Sequence, residues 1–232
     1  MAKKEIDLNI AEMTQAVLHS GHRVSKLHPK MKPFISGVKN TVHLIDLEKT
    51  VEKFSEALTY IKELISAEKN LLIVGTKTPI KNMVKEMAME VNLPYVNERW
   101  LGGTFTNFDT ISKRVTHFKQ LEKEKAVGGL EKYTKKEKMK IDKEIESLRI
   151  KFEGIKDMTK LPEAVFILDM RKDGIAAREA KRKGIKIIAI CDTNIDPGLA
   201  DYPIPANDDA ISSVKYILAK TKEAVLSAKS KS

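Results

Sequence analysis

The 232-residue sequence predicts an α/β fold, a mainly parallel sheet covered by helices on both faces, with an antiparallel helical hairpin inserted into it. Three observations predict this. From residue 70 onward, short apolar runs bounded by Asn, Gly or Pro alternate with helical patterns, as in a sheet buried on both sides. Between residues 107 and 154 the alternation stops, and two narrow apolar stripes of helical period follow with no strand between them. The length suits one domain with an insertion, and a compact chain of this size buries roughly 70% of its unfolded surface without needing a disulfide or a structural metal.

The elements follow in order. Asn9 with Glu12 has capping-box spacing, and Ile10, Met13 and Val17 give a short helix its stripe, which Gly21 is expected to end. "KPFISGVKNTVHLI" reads as two short strands around a turn. Asp46 caps a long amphipathic helix carrying Leu47, Val51, Phe54, Leu58, Ile61 and Ile65. "NLLIVG" (70–75) is the first buried strand, and Thr78 with Pro79 suits the start of a helix running to about Val91. "LPYV" (93–96), "AVFILD" (164–169), "IKIIAI" (185–190) and "YPIP" (202–205) are the remaining strands. A helix from about Ile175 closes at Gly184, and Asn207 is expected to cap the last helix.

In the insertion, the first stripe is Phe108, Ile111, Val115, Phe118 and Leu121. The second is Ile141, Ile145, Leu148 and Phe152, with a Thr134/Glu137 capping box at its head. Faces dense in Lys and Glu outside each stripe fit a hairpin whose seam is its only core. The domain reading is therefore residues 1–106 and 155–226 for the α/β domain, 107–154 for the hairpin, and 227–232 for a basic flexible tail.

Net charge is +10 and the sequence pI about 9.4, which favours polyanionic partners. Between Glu12 and Asp46 there is no acidic residue, yet Arg23, Lys26, Lys30, Lys32 and Lys39 fall there. "RKDGIAAREAKRK" (171–183), with Arg178, Lys181 and Arg182, is a second basic run, diluted by Asp173 and Glu179. The single cysteine, Cys191, follows an apolar run and reads as a buried, inert thiol in a reducing compartment. No apolar run is long enough for a membrane span and the amino terminus has no signal-peptide core, so a cytoplasmic protein is expected.

Ligands of open parallel sheets bind beyond the carboxyl ends of the strands, and four loops here hold that position. "GTKTP" (75–79) lacks the Walker pattern, and no G-x-G-x-x-G occurs, so the nucleotide signal is weak. His19, His22 and His28 have no cysteine partner and no H-E-x-x-H context. Asp192, Asp196, Asp208 and Asp209 are the better site candidates, since two strand-end loops are expected to bring them together; at Asp192, Asp208 and Asp209 Mg²⁺ would relieve the repulsion, and turn-making or helix-capping is the alternative role. "NERWLGGTFTNF" (97–108) sets the only tryptophan beside Gly102 and Gly103, with Arg99, Thr104, Thr106 and Asn107 as donors. It reads either as a loop facing phosphate or protein, or as a structural corner packed over Trp100.

"NERWLGGTFTNF", "HPKMKPFI", "HLIDLEKT", "PEAVFILD", "DTNIDPG" and "IPANDDAI" occur in the order they take in the family of the second protein of the bacterial small ribosomal subunit. The resemblance spans roughly residues 8–225. It implies a Rossmann-like or flavodoxin-like domain with a projecting coiled coil, no catalysis, and binding to 16S rRNA near the head–body junction. It also implies contact with neighbouring proteins of the subunit, including recruitment of the large first protein. Ser20, His28 and Phe105 depart from the family's usual Phe, Asn and Leu. Together these readings assign Arg23, Lys26, Lys30, Lys32, Arg99, Trp100, Thr104, Asn107, Arg178, Lys181 and Arg182 to RNA. An enzyme of nucleotides or sugar phosphates, and an adaptor working off the ribosome, are the competing readings.

Overall fold

The computed structural model describes residues 6–129 and 133–230. Helix α1 (Ile10–Gln15) begins where Asn9 accepts a hydrogen bond from the Ala11 N–H at 2.8 Å. It ends well before Gly21, and Val17 turns the chain with φ at 64°. Gly21 lies instead in β1 (Ser20–Arg23), a strand that "SGHR" does not announce because it has no apolar alternation. A Cβ on Gly21 would sit 2.5 Å from Thr193 Cγ2, so the bare backbone is what lets β1 lie against the loop after a distant strand.

Strands β2 (Ile35–Lys39) and β3 (Val42–Ile45) form the expected hairpin, with Asn40 and Thr41 both at positive φ in a tight connection. With β1 they make an antiparallel sheet in the order β1-β3-β2. Asp46 then accepts from the Glu48 N–H and caps α2 (Leu47–Ser66).

The main sheet comprises β4 (Leu71–Val74), β5 (Tyr95–Val96), β6 (Ala164–Ile167), β7 (Lys186–Cys191) and β8 (Tyr202–Pro205). All pairs are parallel, in the order β5-β4-β6-β7-β8. Residues along each strand alternate between two apolar layers. Leu71, Ile73, Phe166, Ile188 and Ile204 pack with α1, α2, α3 (Lys81–Glu90) and α7 (Ile211–Lys229). Leu72, Val74, Val165, Ile187 and Cys191 pack with α6 (Gly174–Lys183), the 97–107 loop and the base of the helical hairpin.

Three boundaries move. Helix α3 starts at Lys81, not at Thr78–Pro79, because the Lys77 carbonyl accepts from the Ile80 and Lys81 N–H groups in a preceding turn. Helix α7 starts at Ile211; Asn207 Oδ1 accepts from Asp209 N and Ala210 N, forming a turn just upstream of the helix. At the other end α7 runs to Lys229, whose ammonium donates to the Val91 carbonyl at 2.6 Å, so residues 227–229 are helix and not tail. Residues 231 and 232 of the expected tail lie outside the described residues.

The insertion is α4 (Phe108–Ala126) and α5 (Lys135–Phe152), and the Thr134/Glu137 capping box is formed. Ile111, Val115, Phe118, Ile145, Leu148 and Phe152 line the seam, flanked by pairs such as Lys125–Asp142 at 2.7 Å and Arg149–Glu122 at 3.1 Å. This seam is not a separate core, because it continues without a break into the layer of Val96, Trp100 and Phe105.

Candidate functional site

In a sheet of this order, the chain reverses its winding between the first strand and the third, here β4 and β6, and opens a crevice at their carboxyl ends. Here the chain's own side chains fill it. The Thr76 hydroxyl donates to Asp173 at 2.8 Å, and the Lys172 ammonium donates to the Thr76 carbonyl at 2.8 Å. The N-terminal sheet covers the neighbouring strand ends. Thr193 Oγ1 accepts from the His22 N–H at 2.9 Å, the Thr193 carbonyl from the His28 N–H at 2.8 Å, and the Ser20 carbonyl from the Asn207 side chain. The place where this architecture usually takes a ligand is internal structure.

The strand-end aspartates do converge, around a lysine. Lys77, just after β4, puts its ammonium 3.3 Å from Asp169 Oδ2 and 3.5 Å from Asp208 Oδ1, and bonds Asp209 Oδ1 directly. His22 on β1 spans the other side, 3.1 Å from Asp192 and 3.4 Å from Asp209. Burial opposes charge on Lys77, but Asp209, Asp208 and Asp169 hold it protonated and raise its pKa. The hydrogen bond to Asp192 raises His22. Asp208 is pushed up to about 7, first by burial and then by Asp169 and Asp192. Among the described residues no three His, Cys, Asp or Glu side chains are arranged to hold a metal. Cationic side chains stand among the carboxylates expected to attract Mg²⁺.

The tryptophan loop has an equally definite internal partner. Glu179 on α6 is buried, and its carboxylate accepts five hydrogen bonds from the loop. Oε1 takes the Trp100 indole N–H at 3.2 Å and the Gly103 N–H at 2.7 Å. Oε2 takes the Phe105 and Thr106 N–H groups at 2.9 and 3.1 Å and the Thr106 hydroxyl at 3.2 Å. Gly103, at φ 94°, makes the turn that lets these donors converge. Burial pushes the Glu179 carboxyl up, but the Gly103, Phe105, Thr106 and Trp100 donors outweigh it and hold the carboxyl below its ordinary range.

Two of the residues assigned to RNA lie inside the protein. Trp100 is buried edge-on against Phe105, with ring centroids 4.8 Å apart, and Thr104 is buried with its hydroxyl on the Leu101 carbonyl. Both face inward: the Trp100 indole N–H is taken by the carboxylate beneath the loop, and the Thr104 N–H and hydroxyl are both taken by the Leu101 carbonyl. Arg99 and Asn107, at the two ends, are exposed. On α6, Arg178, Lys181 and Arg182 are exposed as well, although Lys181 borders a groove with Gly198–Asp201 on the side towards β7 and β8.

In the acid-free stretch, Arg23, Lys26, Lys32 and Lys39 are exposed and have no ion-pair partner among the described residues. Lys30 differs, since it pairs with Asp196 at 2.7 Å. Beneath these charges Met31, Leu27 and Phe34 join the apolar layer that holds Trp100 and the alanines of α6. The first basic stretch, the tryptophan loop and the basic helix are thus anchored on the same side of the main sheet.

A family model described as "Ribosomal protein S2" matches residues 13–228. The chain belongs to the ribosomal protein S2 family. It is similar to "Small ribosomal subunit protein uS2" of Coprothermobacter proteolyticus, with 40% identity over 219 residues that cover 94% of this chain and 82% of that protein. Members of the family are structural proteins of translation and not enzymes, and this chain is a ribosome-associated protein of the cytoplasm.

Lys77, Asp169 and Glu179 do not stand out in the sequence as site residues, and His22 stands out only as a histidine without a metal motif. Glu179 looks like a charge that merely dilutes a basic run. Its signal is positional: it shares a helix face with Ala176 and Ala180, small apolar residues that mark the buried side.

Proposed function

We propose that this chain is a structural constituent of the small ribosomal subunit that binds 16S rRNA near the head–body junction and helps recruit the large first protein of the subunit. The observation that carries the RNA reading is a set of exposed basic side chains, Arg23, Lys26, Lys32, Arg99, Arg178 and Arg182, that form no ion pair among the described residues and are distributed over segments anchored on one apolar layer. Such side chains position a protein on phosphates and release condensed counterions as they do so. The name of the Coprothermobacter relative supports the placement in the small subunit. Neighbouring ribosomal proteins are the remaining partners, and no helix among the described residues is long and apolar enough to cross a membrane.

The test is the salt dependence of binding to 16S rRNA. Replacing Arg23, Lys26, Lys30 and Lys32 with Gln should lower the slope of log affinity against log salt by about 0.7–0.9 for each phosphate that is no longer neutralised. Arg23, Lys26 and Lys32 are expected to account for the change, because Lys30 is engaged by Asp196. An unchanged slope and affinity would remove this stretch from the interface. Small subunits reconstituted without the chain should fail to retain the large first protein, and full retention would end that part of the proposal.

A further inference from the structure

We propose that Glu179 is a positioning residue for RNA binding, whose carboxylate latches the 100–106 loop onto α6 so that Arg99 on the loop and Arg178 and Arg182 on the helix act as one phosphate-binding surface. The inference rests on the RNA reading above and adds to it a residue that touches no RNA.

In the loop, three N–H groups, of Gly103, Phe105 and Thr106, point at one spot, and the Trp100 indole N–H and Thr106 hydroxyl join them. Convergent backbone donors around a positive-φ glycine form a concave anion site, and left empty it would take a phosphate. Here it already holds Glu179, so the loop's own donors are spent and contact with RNA falls to the residues beside it. Arg99 precedes the pinned indole directly, so fixing Trp100 fixes the backbone from which Arg99 projects. At the far end the Asn107 N–H is tied to the Gly103 carbonyl at 2.8 Å.

The helix side supplies the other half. Arg178 is adjacent to Glu179, and Arg182 lies one helical turn beyond Arg178, which places the two arginines on the same side of α6. Arg99, Arg178 and Arg182 are exposed and unpaired among the described residues. The carboxylate is buried and its lone pairs are taken by the loop donors, so it forms no ion pair with Arg99, Arg178 or Arg182 among the described residues. Without it, loop and helix would carry their arginines on independently moving segments, and ordering them would oppose binding.

Coupling is therefore the measurable signature. With the full chain and 16S rRNA, Arg99→Gln should reduce the salt slope by about 0.7–0.9, the value of one neutralised phosphate. Glu179→Gln keeps the size but turns one acceptor into a donor facing N–H groups. It should lower the slope by at least as much, and adding Arg99→Gln to it should cause no further reduction. Measurements are made where both variants remain folded by circular dichroism; if Glu179→Gln does not fold, Trp100→Phe, which removes a single bond to the carboxylate, replaces it in the same cycle. Additive effects of the two changes, or full affinity in the latch variant, overturn the latch and leave the RNA reading intact. Absence of salt-dependent binding by the native chain overturns both.

Discussion

Asp169, Asp192, Asp208 and Asp209, at the carboxyl ends of β6, β7 and β8, are compensated by the side-chain cations of Lys77 and His22, whereas Glu179 on α6 is compensated by neutral N–H and O–H groups. Both arrangements bury negative charge next to a loop, yet they differ in what they tie together and in how they answer to pH. The cationic cluster joins β1 of the N-terminal sheet to four loops of the main sheet, those after β4, β6, β7 and β8, through charges that titrate. The Glu179 latch joins one loop to one helix through donors that do not titrate. A buried carboxylate whose partners are neutral stays satisfied across the physiological range, and one that shares cations with its neighbours depends on the protonation of all of them.

The largest effect should come from removing the central cation. Lys77→Met leaves Asp169 and Asp208 buried without their cation, and losing one partner of a buried pair costs about 3–5 kcal/mol. A urea melt should show that loss, and adding Asp208→Asn should recover part of it. A loss below about 1 kcal/mol would place the cluster with exposed ion pairs and erase the contrast with Glu179.

A pH titration sharpens the same contrast, because the groups respond with different signs. His22 is raised above its ordinary 6.5 by Asp192, so its contribution is fully present below that value and is lost as pH rises through the folded-state value. Asp208, at about 7 in the folded protein against an ordinary 3.8, also favours the acid side and loses its contribution as pH rises from about 4 to about 7. Glu179 is depressed, so its contribution is present above its ordinary 4.5 and lost only as pH falls through the folded-state value. Between pH 6 and 8 the N-terminal sheet should therefore loosen while the latch holds. His22→Gln should flatten the stability profile in that window, with a loss of about 1.5–3 kcal/mol at pH 6 for one hydrogen bond between charged groups. A profile unchanged by the substitution would assign the pH dependence elsewhere.

The smallest expected effect concerns Mg²⁺. With Lys77 and His22 already among the aspartates, melting temperatures in chelator and in millimolar Mg²⁺ should agree at matched ionic strength. A Mg²⁺-dependent rise that Asp192→Asn abolishes would show that a cation competes with the lysine after all.

The layers and most of the elements are legible in local sequence pattern. Apolar runs such as "NLLIVG" and "IKIIAI" can be satisfied only in a sheet buried on both faces, and the spacing of Ile111, Val115 and Phe118 permits only a helix. These are local periodicities, and a helix or strand expresses them whatever lies elsewhere in the chain. The acid-free stretch is equally legible, because charge composition needs no geometry. The remaining features come from packing. Strand β1 exists because β3 pairs with it, and Gly21 ends no helix because Thr193, far away in sequence, lies against it. Trp100 turns inward because Glu179, more than seventy residues on, offers an anion beneath the loop. Asp169 meets Lys77 because β4 lies beside β6, an adjacency that strand order sets. Pairing partners and buried charge compensation depend on which distant segments become neighbours, and that information resides in the packed chain as a whole and not in any one stretch of it.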